Sequence, residues 1–325
     1  MRHPYAWASR VIAAVAVAAF GFCASVQAAS VPESKDPIKL AINEWTGQHI
    51  TTRVAGEILQ RMGYKVEFVT AGYFPQMQAM QDGTLTASLE IWSNNIGDAY
   101  LKASETGKVV RVGDLGLDTN EGWLYPKYME QKCPGLPKWE ALKGCSEVMA
   151  TAETFPNGRI LSYPADWGTR SADMIKGLEL PYVAVPAGSE GALVAELKSA
   201  TAKKEPLVMM FWAPHWVLAE VDVGWVAMPK WDDKCATDAA WGPNPNAVND
   251  CGVDLAITFK VAWAGMKDKW PAAYRFLEQF EMAAEDQIPM MAAIDVRGEK
   301  LGAVTKAWVD ANESKWRPWV EAATK

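Results

Sequence analysis

Between residues 38 and 92 the chain keeps switching its hydrophobic period. IKLAIN (38–43) alternates apolar and polar residues, as a strand with one covered face does. Residues 48–62 then place Ile50, Val54, Ile58, Leu59 and Met62 on one helical stripe, which Gly63 ends. KVEFVT (65–70) returns to the strand period, residues 75–82 read as helix, and Ala87–Trp92 is strand again. Strand and helix at such short intervals mean βαβ units, because parallel neighbours need a crossover connection. The pattern excludes an all-helical bundle and a β-sandwich, and it predicts an α/β fold on mostly parallel sheets.

The alternation continues. Arg159–Tyr163 and Tyr182–Val185 are strand-like, Gly168–Gly177 and Ser189–Ala200 helix-like. Leu207–Trp212 is a buried strand and His215–Val221 a short helix. Residues 229–252 lack periodicity and read as loop. DLAITFKVAW, from Asp254, is strand, and the chain ends in helices with Trp308, Trp316 and Trp319 spaced for one face. Neither an internal repeat, a Gly-rich dinucleotide fingerprint nor a P-loop is present. A chain of 325 residues with this pattern fits two lobes of similar size. The expected division is 29–120 plus 225–325 for lobe 1 and 121–224 for lobe 2. The cleft lies at the carboxyl ends of the strands, where ligands bind in open sheets.

The first residues read as an address rather than as fold. Arg2 and Arg10 precede the apolar stretch VIAAVAVAAFGF, and small residues lead to Val26-Gln27-Ala28. This is the pattern of a secretory signal peptide (1–28) cut after Ala28, which predicts a periplasmic protein. The stretch is too short to span a bilayer; an uncleaved anchor is the alternative. Cys23 follows Phe20-Gly21-Phe22, which is bulky where a lipidation motif wants small residues. Cys133, Cys145, Cys235 and Cys251 then form an even set in an exported chain, which suggests disulfides. Four cysteines allow three pairings. The local one, Cys133–Cys145 with Cys235–Cys251, is the simplest, and each bridge would clip a loop for about 2–4 kcal/mol. A zinc site is poorly served, since there is no CxxC spacing and only His49 and His215 follow the leader. The net charge is −7, so nothing would neutralise the phosphates of a nucleic acid.

Catalytic constellations are weak. Ala187-Gly188-Ser189-Glu190-Gly191 lacks the first glycine of a nucleophile elbow, and Ser189 is better read as a helix N-cap. His215, in APHW, reads as a packing or hydrogen-bonding residue. Carboxylate pairs such as Glu44 with Glu90, or Asp232 with Asp233, have no separation fixed by sequence. The expectation is a protein that is not an enzyme and carries no cofactor.

Composition matters at one residue type. There are 16 tryptophans beside 9 tyrosines and 9 phenylalanines, an inverted order. Trp139, Trp225, Trp231, Trp241, Trp263, Trp270, Trp308, Trp316 and Trp319 are assigned to packing. Five others stand where a strand gives way to a loop or helix: Trp45 (NEWTG), Trp92 (LEIW), Trp123 (EGWLY), Trp167 (PADWGTR) and Trp212 (MMFW). Several indoles at one cleft suit a quaternary ammonium group. It is charged and has no N–H to donate, so acceptors cannot hold it specifically. Indole faces can, through cation–π attraction of about 0.5–2 kcal/mol per ring. The turn Trp167-Gly168-Thr169-Arg170 opens a helix, whose free N–H groups favour an anion such as a betaine carboxylate. Gly168 lets a ligand approach the backbone, Thr169 adds a hydroxyl, and Arg170 adds charge if it points inward.

At these residues the chain resembles the substrate-binding proteins of glycine betaine, proline betaine and choline ABC importers. The resemblance runs through ILQRMGYKVEF, LTASLEIWSNN, YPADWGTR, MMFWAPHWVLAEVDVGWVAMP and WVDANESKWRPWV. It implies a two-lobed periplasmic binding fold, type II-like, whose lobes close on the ligand about a hinge. It also implies a monomer whose partner is a membrane permease with a cytoplasmic ATPase. The positions similar to a three-tryptophan box are Trp92, Trp167 and Trp212. Choline-binding relatives use an aromatic matching Trp45 and another near Trp123, and the amides that hold a betaine carboxylate match Gly168 and Thr169. Two departures stand out. Ser93-Asn94-Asn95-Ile96 holds no histidine where some betaine binders have one, and Gly47 replaces the acid that choline binders carry two residues after the Trp45 equivalent. Glu44 and Glu90, extra acids near the cleft, could favour a cation without a carboxylate. Two other readings stay open: a binding protein for a sugar, amino acid or other osmolyte, and an exported hydrolase.

Overall fold

The computed structural model describes residues 30–325. The expected signal peptide, its cleavage point and Cys23 lie outside the described residues.

Eleven extended segments occur in chain order among the described residues: β1 (Ile38–Ile42), β2 (Val66–Thr70), β3 (Ala87–Trp92), β4 (Val109–Asp114), β5 (Asn120–Pro126), β6 (Pro134–Pro137), β7 (Gly158–Ser162), β8 (Tyr182–Pro186), β9 (Met209–Ala213), β10 (Val223–Trp225) and β11 (Thr258–Trp263). Ten of them make two five-stranded sheets, β2-β1-β3-β11-β4 and β10-β5-β9-β7-β8. Helices fill the intervals, so both sheets sit in an α/β architecture with two lobes. Residues 31–325 form one compact unit.

The sheets are mixed where the sequence pattern predicts mostly parallel pairing. β1 pairs parallel with β2 and β3, but β11 runs antiparallel to both β3 and β4. In the second sheet β7 pairs parallel with β8 and β9, while β5 is antiparallel to β9 and β10. Each sheet therefore holds four co-directional strands and one reversed strand. The reversed strand is the one by which the chain enters from the other lobe: β5 on the outward crossing, β11 on the return. Both begin at the cleft, so their first residues share an edge with the carboxyl ends of the other strands.

Local sequence explains most of the elements. β3 is buried along its whole length because it lies between β1 and β11. The helix Thr46–Arg61 buries Ile50, Val54, Ile58 and Leu59 on the stripe read from sequence. Ser189 caps the helix Glu190–Lys203, its Oγ accepting from the Ala192 N–H at 3.1 Å. Two segments depart from expectation. The strand expected from Asp254 begins only at Thr258; Leu255 and Ile257 are 69% and 53% exposed and belong to the crossing between sheets. The return expected at 225 also falls later, since Trp225 ends β10 in the second sheet. The following loop docks on the helix Arg170–Gly177, Asn244 Nδ2 donating to the Gly177 carbonyl at 2.9 Å. A loop without apolar periodicity carries no sequence signal for the lobe it covers.

The cysteines pair locally, Cys133 with Cys145 and Cys235 with Cys251. No described helix is long and apolar enough to cross a membrane.

Candidate ligand-binding site

In lobe 1 the wall of the site comes from three strand ends. β1 leads through Asn43 and Glu44 to Trp45, which keeps an extended backbone as N-cap of the helix Thr46–Arg61. β3 ends on Trp92, the N-cap of the helix Ser93–Glu105. After β2 the chain turns through Gly72 to Tyr73, whose hydroxyl accepts from the Trp92 N–H at 2.9 Å. Position on a strand-to-helix junction is what aims these rings out of the sheet edge and into the cleft.

In lobe 2, β7 ends at Ser162 and the chain runs through Tyr163 and Pro164 into a single helical turn, Ala165–Trp167. Gly168 follows at φ +112°, and a Cβ there would stand 3.3 Å from Asn95 Oδ1 across the cleft. Both constraints call for glycine. β9 supplies Trp212. Eight residues line the resulting cavity: Trp45, Tyr73, Trp92, Asn95, Glu121, Tyr163, Trp167 and Trp212. It holds about 360 Å³ of empty space including its mouth.

The rings meet edge to face. Trp167 lies 5.5 Å from Trp45, 5.6 Å from Tyr163 and 5.8 Å from Trp212, centroid to centroid, with interplanar angles of 62–69°. Trp45 is 5.4 Å from Tyr73 in the same geometry. Rings set at steep angles turn several π faces toward one volume, the geometry of an aromatic box.

Residues 36–311 match the family described as the substrate-binding domain of ABC-type glycine betaine transport systems. The chain belongs to that family. It is similar to the trimethylamine N-oxide-binding protein of Pelagibacter ubique strain HTCC1062, with 26% identity over 296 residues, 89% of this chain and 92% of that protein. Among solved structures it is similar to a choline-binding protein of an ABC transporter in complex with choline (TM-score 0.71, 18% identity, 89% of this chain and 93% of that one). It is also similar to lactococcal OpuAC in its closed-liganded conformation with glycine betaine (TM-score 0.69, 18% identity, 88% and 99% of the two chains). These likenesses carry the two-lobed fold of substrate-binding proteins.

Within this family fold, Trp45, Trp92, Trp167 and Trp212 converge on the cavity and Trp123 does not. Trp123 is fully buried in lobe 2, its Nε1 donating to Ser171 Oγ at 3.0 Å. The pairing of β5 with β9 explains the difference. Glu121 lies opposite Trp212, whereas Trp123 lies opposite Met210, two residues and about 7 Å further from the cleft. Gly168 flanks the cavity beside Asn95, and the exposed Thr169 turns its hydroxyl to Asp173 at 2.8 Å; neither is a wall residue. Arg170 does not point inward. It reaches across the cleft and donates to the Asn94 carbonyl at 2.6 Å. His215 Nδ1 accepts from the Val217 N–H at 3.2 Å, so its Nε2 donates to Glu190 Oε1, also at 3.2 Å. It serves the lobe interface.

Sequence reasoning missed Tyr73, Asn95, Tyr163 and Glu121. Glu121 matters most chemically. Its Oε2 accepts from Asn94 Nδ2 at 2.6 Å. Burial pushes its carboxyl above the usual range, against the pull of Asn94, Tyr163 and Arg170. Glu44 stands beside Trp167 and Asp166; its partial desolvation there and the Asp166 charge raise it too. No lysine or arginine is among the eight wall residues. The arrangement can surround a methylated cationic head and offer one carboxyl group to whatever that head carries.

Proposed function

We propose that this chain captures a compact trimethylated nitrogen compound for an ABC importer, with trimethylamine N-oxide as the preferred ligand. The observation that carries the reading is the set of four indoles and two phenols, drawn from both lobes, around the Glu121 carboxyl. Methyl groups and a positive nitrogen suit the rings, at about 0.5–2 kcal/mol for each face engaged. Burial raises the Glu121 carboxyl, and in its protonated form it donates a hydrogen bond to an N-oxide oxygen. A betaine carboxylate meets the opposite situation: an acid in the cavity and no basic wall residue. The relative of Pelagibacter ubique, named for trimethylamine N-oxide, supports the choice. Choline is the second reading, because an ionised Glu121 would accept from its hydroxyl.

The two readings differ in the sign of their pH dependence. Neutral Glu121 is the donor to an N-oxide, so that affinity is full below its raised pKa and falls as pH rises through it. Choline affinity moves the other way. Calorimetric titration of trimethylamine N-oxide, choline, glycine betaine and carnitine across this pH range decides between them, and no binding by any of the four would overturn the whole reading. Within the same proposal the chain is exported by its signal peptide, acts as a monomer in the periplasm, and delivers its ligand to a membrane permease with a cytoplasmic ATPase. An exported protein whose N-terminus is Ala29 checks the first part.

A further inference from the structure

Two cage tryptophans share one buried acceptor. Trp45 Nε1 and Trp92 Nε1 both donate to Glu90 Oε1, at 2.8 and 3.3 Å. The other oxygen, Oε2, accepts from Thr51 Oγ1 at 2.8 Å and Gln287 Nε2 at 3.0 Å. Glu90 is 1% exposed and is not a wall of the cavity; it stands behind the rings that are. All four donors are neutral. The indole and amide N–H groups can only donate, so this set solvates an anion better than an acid. Burial raises the carboxyl above its ordinary range, while the four donated bonds favour its ionised form and limit that rise.

An indole whose N–H binds an anion is polarised, because hydrogen-bonded groups in a low dielectric strengthen one another's charge separation. Electron density moves from the N–H edge toward the ring, and the ring face attracts a cation more strongly. The carboxylate's own field adds to this through a poorly screened interior. Glu121 and Glu190 bond other groups, and Glu44 stands beside only one cage indole, Trp167; Glu90 alone among them accepts from two.

We propose that Glu90 is a positioning residue that gives the cage its charge selectivity: by accepting both indole N–H groups, its carboxylate makes the Trp45 and Trp92 faces prefer a methylated cation over a neutral molecule of the same shape. The inference rests on reading the cavity as a site for trimethylated nitrogen. Glu90 would then set what the rings discriminate, and Glu121 what the rest of the ligand meets.

The test compares choline with 3,3-dimethyl-1-butanol, in which carbon replaces the charged nitrogen, on the full exported chain. Wild type and Glu90→Gln are titrated by calorimetry and tryptophan fluorescence. Glu90→Gln keeps the size of the side chain, and we expect choline to lose about tenfold or more while the neutral isostere changes by less than about threefold. Equal losses for the two ligands mean that Glu90 only props the rings, and no loss means that it is idle; either overturns the proposal. A wild type that binds neither choline, trimethylamine N-oxide nor glycine betaine overturns the functional reading first, and this inference with it. Should Glu90→Gln fail to fold, Trp45→Phe and Trp212→Phe replace it. Both keep an aromatic ring, but only Trp45 bonds Glu90. The choline-to-isostere ratio should fall further for Trp45→Phe, and equal falls refute the coupling.

Discussion

Trp45 and Trp92 in lobe 1 are held by hydrogen bonds to the buried Glu90 carboxyl group. Trp167 and Trp212 in lobe 2 are held by other rings. Trp212 stacks on Phe211 at 4.7 Å and 25°, and Tyr163 sits edge-on to both cage tryptophans of its lobe. Trp167 Nε1 is buried without a hydrogen-bond partner. One half of the cage is thus fixed by directed hydrogen bonds, the other by volume. Hydrogen bonds pin the angle of a ring, whereas packing alone resists changes in size. Lobe 1 should therefore tolerate modest repacking and suffer from lost acceptors, and lobe 2 the reverse.

The largest effect expected is for Trp167→Ala. It removes the ring that touches Trp45, Tyr163 and Trp212 together, and ligand affinity should fall by about 100-fold, near 3 kcal/mol. A loss below about threefold in a titration would mean that lobe 2 contributes no wall. Phe211→Leu comes next. It leaves a void under Trp212 and should cost about 1–2 kcal/mol in denaturant unfolding, with a smaller loss of affinity. An unchanged midpoint would show that the stack does not brace the ring. Trp123→Phe sharpens the boundary of the cage. It removes the bond to Ser171 for about 1 kcal/mol of stability and should leave affinity within about threefold. A large affinity loss there would return Trp123 to the site.

The smallest effect belongs to the edge of the lobe interface. Asp295 accepts from Thr46 Oγ1 at 2.9 Å and from Trp216 Nε1 at 2.8 Å, bridging the two lobes. Asp295→Asn can keep only one of these acceptors and should weaken binding by about two- to threefold, read by calorimetry. Burial and the Glu190 charge raise the Asp295 carboxyl. The bridge should therefore loosen as pH rises through that raised range.

Much of this was legible before folding. β3 was readable to the residue, and the strand-to-helix junctions marked Trp45, Trp92, Trp167 and Trp212 as candidates. Their convergence depends on strand order that no local pattern encodes. The choice between Trp123 and Glu121 turns on the register of β5 against β9, which is set by residues some 90 positions apart. Gln287 reaches Glu90 across 197 residues of sequence. A polar residue in a strand looks solvated until its partners are placed, so Glu90 reads only as an extra acid near the cleft and Glu121 draws no notice.

The single reversed strand in each sheet has a mechanical consequence. Glu121 is the second residue of β5, and Thr258, which opens β11, lies opposite Trp92. The two connectors between the lobes are thus anchored within a residue of two cavity walls, Glu121 and Trp92. Any swing of one lobe on those connectors would tug directly on a carboxyl group and an indole of the cavity wall, as a drawstring tied to the lip of its own bag would.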